Sequence, residues 1–268
     1  MIPDYHVHTY YSGDCEVPVK EHIERAITLG MKEICFTDHT DFDYPPENGT
    51  NIFLFNVSKY FNELLSLKDA YKDRIRIKIG IELGLNPVNK EPNRRLINSH
   101  NFDFIIGSSH IIDGMDPYYP DFWNNRNPDD VIARYFNAIL TNVKDNNDYD
   151  VYGHLDYIRR YVPDKDYVFN PADFSHITDE ILKTIIESGH GIELNTRGLS
   201  YGDSHFAPTI KLLKRYRELG GEILTVGSDA HYSKNLGFEF NRVEQMIKDC
   251  GFKYITVFSQ RKPEFIPL

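Results

Sequence analysis

Positive charge is in short supply along this chain. Thirty Lys and Arg stand against 40 Asp and Glu in 268 residues, for a formal charge of −10. Non-specific binding to nucleic acid needs clustered Lys and Arg, so no nucleic-acid partner is expected. Cysteine is scarce as well. Cys15, Cys35 and Cys250 form no Cys-X-X-Cys pair and are odd in number, which excludes a disulfide framework and points to a reducing compartment. No run approaches the roughly 18 apolar residues of a membrane helix. Residues 1–8 carry neither a basic nor a hydrophobic leader segment, so a cytoplasmic protein with no membrane partner is expected. Gly/Ser linkers, low-complexity tracts and charge blocks are missing too, and residues 1–268 are read as a single domain.

What does recur is a short apolar run followed by an amphipathic stretch. Residues 5–8, 33–37, 76–83, 102–107, 151–155, 191–194 and 222–226 read as buried strands, and 254–258 as an eighth. Helices are predicted over 18–30, 56–73, 93–99, 129–143, 173–189, 208–220 and 240–251. The first of these opens on Pro18, closes on Gly30 and spaces Ile23, Ala26 and Ile27 along one face. Alternation of strand and helix favours a parallel sheet, and the α/β class is read as one (β/α) barrel.

Ligand-grade side chains sit on this skeleton in a pattern. His6 and His8 are two apart on the first strand and share a face. His39 ends the second strand, Glu82 the third, His110 follows the fourth and His154 lies on the fifth. Arg197 follows the sixth, and Asp229 and His231 the seventh. In a parallel barrel the C-terminal strand ends converge on one mouth, where active sites form. A lone strand histidine is ordinarily a packed, hydrogen-bonded residue. Six of the 11 histidines at strand ends, with Glu82 and Asp229 among them, would each need a separate partner, and buried polar groups without one are costly. A shared metal centre satisfies them together. His22, His100, His176, His190 and His205 fall on helices or connections and read as surface or capping residues. Asp14, in Ser-Gly-Asp, is a turn residue or a ligand. Asp38 either orients the His39 ring or caps a helix.

The ordered motifs His6-Val-His8, Thr-Asp-His39, Glu82, Gly-Ser-Ser-His110, Gly-His154 and Ser-Asp229-Ala-His231 span nearly the whole chain. They resemble the PHP family, the metal-dependent phosphoesterases named for polymerase and histidinol phosphatase. The length, the Asp14 region and Asn-Thr-Arg197 are most similar to its stand-alone members that act on histidinol phosphate in histidine biosynthesis. The resemblance implies a distorted (β/α)7 TIM-like barrel, which would leave residues 254–258 outside the ring. It also implies three divalent metals, Zn first, with Mn or Fe suiting the same mixed ligands. One metal would be held by His6, His8, Glu82 and Asp229. A second would share Glu82 and add His110 and His154, and a third would use Asp14, His39 and His231. Glu82, Asp229 and His231 are expected to be catalytic.

Three divalent ions bring six positive charges and the three carboxylates return three, so such a site attracts a phosphate dianion even on an acidic protein. Arg197 and Arg160 are expected to bind the phosphate, with Arg159 the lesser candidate. Direct attack by water at the metal cluster is the implied chemistry, without a phosphoenzyme. The substrate is then a small phosphomonoester. Its cationic head could be clasped by residues 41–55 (Asp41, Phe42, Asp43, Tyr44, Glu47, Phe53, Phe55) or by Tyr118, Tyr119, Asp121, Phe122 and Trp123, although both stretches equally suit a lid or a loop core. Competing readings are a PHP phosphoesterase of nucleotides or DNA ends, a metal-dependent amidohydrolase, and a non-catalytic scaffold. The acidic balance opposes the first. Gly-Ser-Ser-His110, where a modified Lys belongs, opposes the second, and the intact ligand set opposes the third.

Overall fold

A computed structural model describes residues 1–200 and 206–268; His205 lies outside the described residues. Strands β1 (Glu33–Phe36), β2 (His39–Thr40), β3 (Arg76–Gly84), β4 (Phe104–Ser108), β5 (Val151–Tyr152), β6 (Gly191–Asn195) and β7 (Leu224–Gly227) form one parallel sheet. Its order is β1-β3-β4-β5-β6-β7, with β2 pairing β3 beyond the end of β1. The helices between the strands are α1 (Val19–Thr28), α2 (Val57–Ala70), α3 (Lys90–Ile97), α4 (Pro128–Asp145), α5 (Ser175–Glu187), α6 (Arg197–Ser200), α7 (Ile210–Glu218) and α8 (Phe240–Asp249). Start signals are local: Asn56 accepts from Lys59 N–H at 3.0 Å, and Asn127 accepts from Asp129 N–H at 2.8 Å with Pro128 opening α4.

Residues 5–8 are not a regular strand, yet they occupy a strand position. Asp4 bridges Ile34 and Val7 bridges Ala230, both in parallel sense. Tyr5 N–H donates to Val226 O at 2.9 Å, and Cys35 N–H donates to Asp4 O at 2.8 Å. The segment thereby closes the ring between β1 and β7, which gives the distorted seven-membered barrel. Its ladder is broken because side chains take the backbone donors: His6 N–H turns to Asp4 Oδ1 and Val7 N–H to Thr37 Oγ1. β5 is likewise shorter than the apolar run predicts, since the chain turns at His154 with φ of +24°.

The eighth run is a strand outside the ring. β8 (Tyr254–Ser259) pairs antiparallel with β9 (Lys262–Pro267), a strand that the prolines and charges of Lys-Pro-Glu-Phe-Ile-Pro conceal in the sequence. This hairpin caps the N-terminal end of the barrel. Tyr5, Cys35, Phe104, Ile106, Val151, Val257 and Phe258 make a small core there, separate from the larger one between sheet and helices. Tyr5 OH donates to Glu33 Oε1 at 2.6 Å and accepts from Phe258 N–H at 2.9 Å. Apolar filling at one end leaves the other free for polar side chains.

His22 departs from its surface reading. α1 turns Val19, His22, Ile23 and Ala26 onto the barrel at helical spacing, so His22 is fully buried and its pKa is pushed down to about 4 by burial. His176 is exposed as expected, and His100 and His190 are half-buried.

Replacing Tyr5 with Phe should leave Glu33 Oε1 and Phe258 N–H without that hydroxyl in a dry core. A loss of about 1–3 kcal/mol of stability is expected in urea titration, with the active-site chemistry unaffected.

Candidate metal centre

All nine side chains expected as ligands meet at the C-terminal mouth of the barrel. Glu82, fully buried, is the centre of the group. The sheet register sets it directly beside His39 on β2. Its Oε2 lies 2.9 Å from His39 Nδ1, 3.1 Å from His6 Nε2 and 3.5 Å from His8 Nε2. Its Oε1 lies 3.0 Å from His154 Nε2 and 3.3 Å from His110 Nε2, and accepts from Ser108 Oγ at 2.6 Å. Asp229 Oδ1 sits 3.2 Å from His8 Nε2 and 3.4 Å from His231 Nδ1. Asp14 Oδ2 is 2.7 Å from His231 Nε2 and 4.0 Å from His39 Nε2.

These spacings suit ligands more than packing residues. Donors bound to one ion at about 2.0–2.1 Å stand roughly 3.3 Å apart around a tetrahedron. Four triads have donor atoms within 4.8 Å of one another: His6, His8 and Asp229; His6, Glu82 and His154; His8, His39 and His231; and His39, Asp41 and His110. His8 Nε2, His39 Nδ1 and Asp41 Oδ2 are buried and make no well-aligned hydrogen bond among the described residues, although carboxylate or imidazole atoms stand within 3.7 Å of each. Orphaned buried acceptors facing one another are costly, and a divalent cation relieves them.

Proton affinities run in opposite directions among adjacent rings. Burial disfavours charge on His6, but the carboxylates of Glu193, Glu82 and Asp229 outweigh it and raise its pKa well above the ordinary value. Burial and the neighbouring His39 and His231 drive that of His8 well below. Burial of Glu82 is overcome by His6, His39 and His110, which hold its carboxyl well below the usual range. Burial of Asp229 is overcome by Arg197 and His6 to the same effect. Protons cannot suit all of these rings at once, whereas metal ions bind the neutral form of each.

Behind the cluster lies a layer that the sequence reading missed. Glu193, inward on β6, meets His6 Nδ1 at 2.6 Å. Asp41, read as a loop acid that could clasp a cation, is buried behind His110 with Oδ1 at 2.8 Å from Nδ1. It fits there because position 84 is glycine: a Cβ would fall 2.1 Å from Asp41 Oδ1. Asp38 neither touches the His39 ring nor caps a helix. It accepts from Thr9 N–H at 2.6 Å and from Ser12 N–H and Oγ at 3.1 and 2.9 Å, and Ser12 Oγ lies 3.1 Å from His8 Nδ1. Asp4 does similar work for the loop after β7, accepting from Ser228 N–H at 2.9 Å and Gly237 N–H at 3.0 Å. Asp229 itself adopts φ of +51°, a conformation that needs such anchoring.

The cluster floors a cavity of about 320 Å³. Arg160, Arg197 and Tyr161 stand on one wall. Arg197 Nη1 donates to Asp229 Oδ1 at 2.7 Å. Arg159 is turned away, its Nη2 donating to Phe206 O at 2.9 Å. Tyr44, Phe53, Tyr118 and Tyr119 form the rim with Asp116, a carboxylate that the sequence reading passed over. Asp43 is engaged by Asn89 at 2.6 Å, and Tyr119 OH donates to Glu47 at 2.9 Å. Phe55 packs on Tyr11 and Tyr60, while Phe122 and Trp123 are buried in the core. Asp43, Glu47, Phe55, Asp121, Phe122 and Trp123 do not line the cavity.

Three comparisons bear on this geometry. The family model for the PHP domain matches residues 4–197. A histidinol-phosphatase of Lactococcus lactis is 33% identical over 267 residues, which cover 97% of this chain and 95% of the relative. The crystal structure of histidinol phosphate phosphatase from that organism, complexed with zinc, L-histidinol and phosphate, superposes with a TM-score of 0.91 over 98% of each chain at 33% identity. A structure from Listeria monocytogenes shares the fold at 17% identity, with a TM-score of 0.77 over 90% of this chain and 99% of that one. Among the described residues no helix is long and apolar enough to cross a membrane.

Burial pushes the Asp38 carboxyl up to about 6, with the Thr9 and Ser12 donors restraining the rise. Its folded pKa thus exceeds the ordinary 3.8, so its contribution to stability is full below that value and lost as pH rises through about 6. Asn keeps the shape without the titration. In metal-free protein the stability of Asp38→Asn relative to wild type should therefore improve by about 1–3 kcal/mol between pH 4 and pH 7, read from urea titrations at each pH.

Proposed function

The chain belongs to the PHP domain family, and from that premise we propose that it is a metal-dependent phosphatase hydrolysing L-histidinol phosphate to L-histidinol and phosphate. The observation that carries the reading is the joining, in one cavity, of a buried imidazole–carboxylate cluster, two arginines and one further carboxylate. They answer in turn to metal, phosphate and ammonium. The Lactococcus relative, which binds zinc, histidinol and phosphate, supports the same assignment. Residues 1–268 act as one barrel domain in this reading.

Three zinc ions fit the residues present. His6, His8, Glu82 and Asp229 would hold one; Glu82, His110 and His154 a second; and Asp14, His39 and His231 a third. When bound, such ions supply Lewis acidity and make water nucleophilic near neutral pH. The protein does the rest. Arg160 and Arg197 hold the phosphate oxygens and offset the charge that gathers on them as the ester bond breaks. Asp229 Oδ1, fixed by Arg197 at 2.7 Å, accepts the proton of the attacking water. The same proton passes from Asp229 to the leaving alkoxide, while His231, 3.4 Å from Asp229 Oδ1 and neutral, would hold the neighbouring ion in place. The aromatic side chains around the cavity limit the water beside the phosphate. Asp116 lines the cavity outside the four ligand triads, and in this reading it pairs with the substrate's ammonium.

Phosphate release should be measured over histidinol phosphate, mononucleotides, a 3′-phosphorylated oligonucleotide and generic phosphomonoesters. A preference for histidinol phosphate is expected, and it should be lost on chelation and regained with zinc. His8→Ala and Asp229→Ala should lower kcat/KM at least about 100-fold while circular dichroism shows a folded chain. Preference for nucleotides would overturn the substrate assignment. Asp116→Asn should lower kcat/KM about 10- to 100-fold for histidinol phosphate yet leave an amine-free alkyl phosphate nearly unchanged, as expected for a lost charge pair.

A further inference from the structure

We propose that Glu193 is the positioning residue of the metal centre: one carboxylate fixes the His6 ring and the His154 backbone together, and so sets how tightly the site holds its ions. The proposal rests on the metal-dependent reading above. β6 turns Glu193 inward, where it is 1% exposed, and three donors converge on it. Oε1 lies 2.6 Å from His6 Nδ1. Oε2 accepts from His154 N–H at 2.9 Å and from Asn195 Nδ2 at 3.2 Å.

Each oxygen has a separate consequence. With the Nδ1 proton held by Oε1, His6 Nε2 is left bare toward Glu82 and Asp229, the tautomer in which an imidazole binds metal. Oε2 pins the N–H of His154, whose φ of +24° is rare outside glycine and whose Nε2 reaches Glu82 Oε1 at 3.0 Å. The close approach requires glycine opposite. At Gly227 a Cβ would fall 2.2 Å from Glu193 Oε1 and 2.3 Å from His6 Cβ.

An amide cannot do this. Gln offers one acceptor oxygen and an NH2 to three donors. Either the NH2 faces His154 N–H and Asn195 Nδ2, donor against donor, or it faces His6 Nδ1 and moves the ring proton to Nε2, where it blocks the ion.

The test compares wild type, Glu193→Gln and Glu193→Asp, using zinc per chain by elemental analysis and zinc affinity by chelator competition, with circular dichroism to confirm folding. Glu193→Gln should bind zinc about 10- to 100-fold more weakly, and its activity should recover more at high zinc than at limiting zinc. Glu193→Asp, which keeps the charge on a shorter arm, should fall between. Folded Glu193→Gln with wild-type zinc affinity overturns the proposal alone. Wild type that binds no zinc overturns the metal-centre reading and this proposal with it. If the variants do not fold, 15N-histidine spectra of zinc-loaded wild type decide. A proton on His6 Nδ1 supports the assignment, and a proton on Nε2 overturns it.

Discussion

One buried carboxylate governs this molecule. Glu82 has imidazole nitrogens of five histidines within 3.5 Å of its two oxygens, and water has no access to it. So much unsatisfied polarity in a dry place is unfavourable unless every atom is held in register and balanced by cations. Much of the surrounding structure answers that demand. Ser108 and the register with His39 hold Glu82, Asp41 and Glu193 back two of the rings, and Asp4 and Asp38 tie down the turns that carry the others.

The barrel is divided along its axis by chemistry. At the N-terminal end Tyr5, Phe104 and Phe258 pack in an apolar plug sealed by the β8–β9 hairpin. A rigid floor of this kind lets short strands deliver polar groups at the opposite end with little freedom. The two features need each other, because a polar mouth contributes little apolar burial of its own, and the plug and the helix–sheet core must offset its cost.

Much of this was legible in the chain. Runs such as 76–83 stood out as buried strands, and the spacing of His6 and His8 carried their common face. His39, Glu82 and Asp229 were found because each closes or follows such a run. What escaped was polarity without a motif. Glu193 and Asp116 stand alone among ordinary neighbours, and only three-dimensional proximity to His6 or to the cavity gives them meaning. Asp38 was noticed and misread, since its partners Thr9 and Ser12 lie nearly 30 residues away. β9 hid behind Pro263 and Pro267, which an edge strand tolerates and a central one does not.

The first segment closes the ring against the last strand of the sheet. Asp4, His6 and His8 are set by contacts to Val226, Ser228 and Ala230, more than 200 positions downstream. No partial chain emerging from a ribosome can assemble the cage until the seventh strand has been made. The cluster therefore waits for the segment at 226–230, and a chain cut short of residue 226 would carry Asp4, His6 and His8 without the downstream contacts that hold them in place.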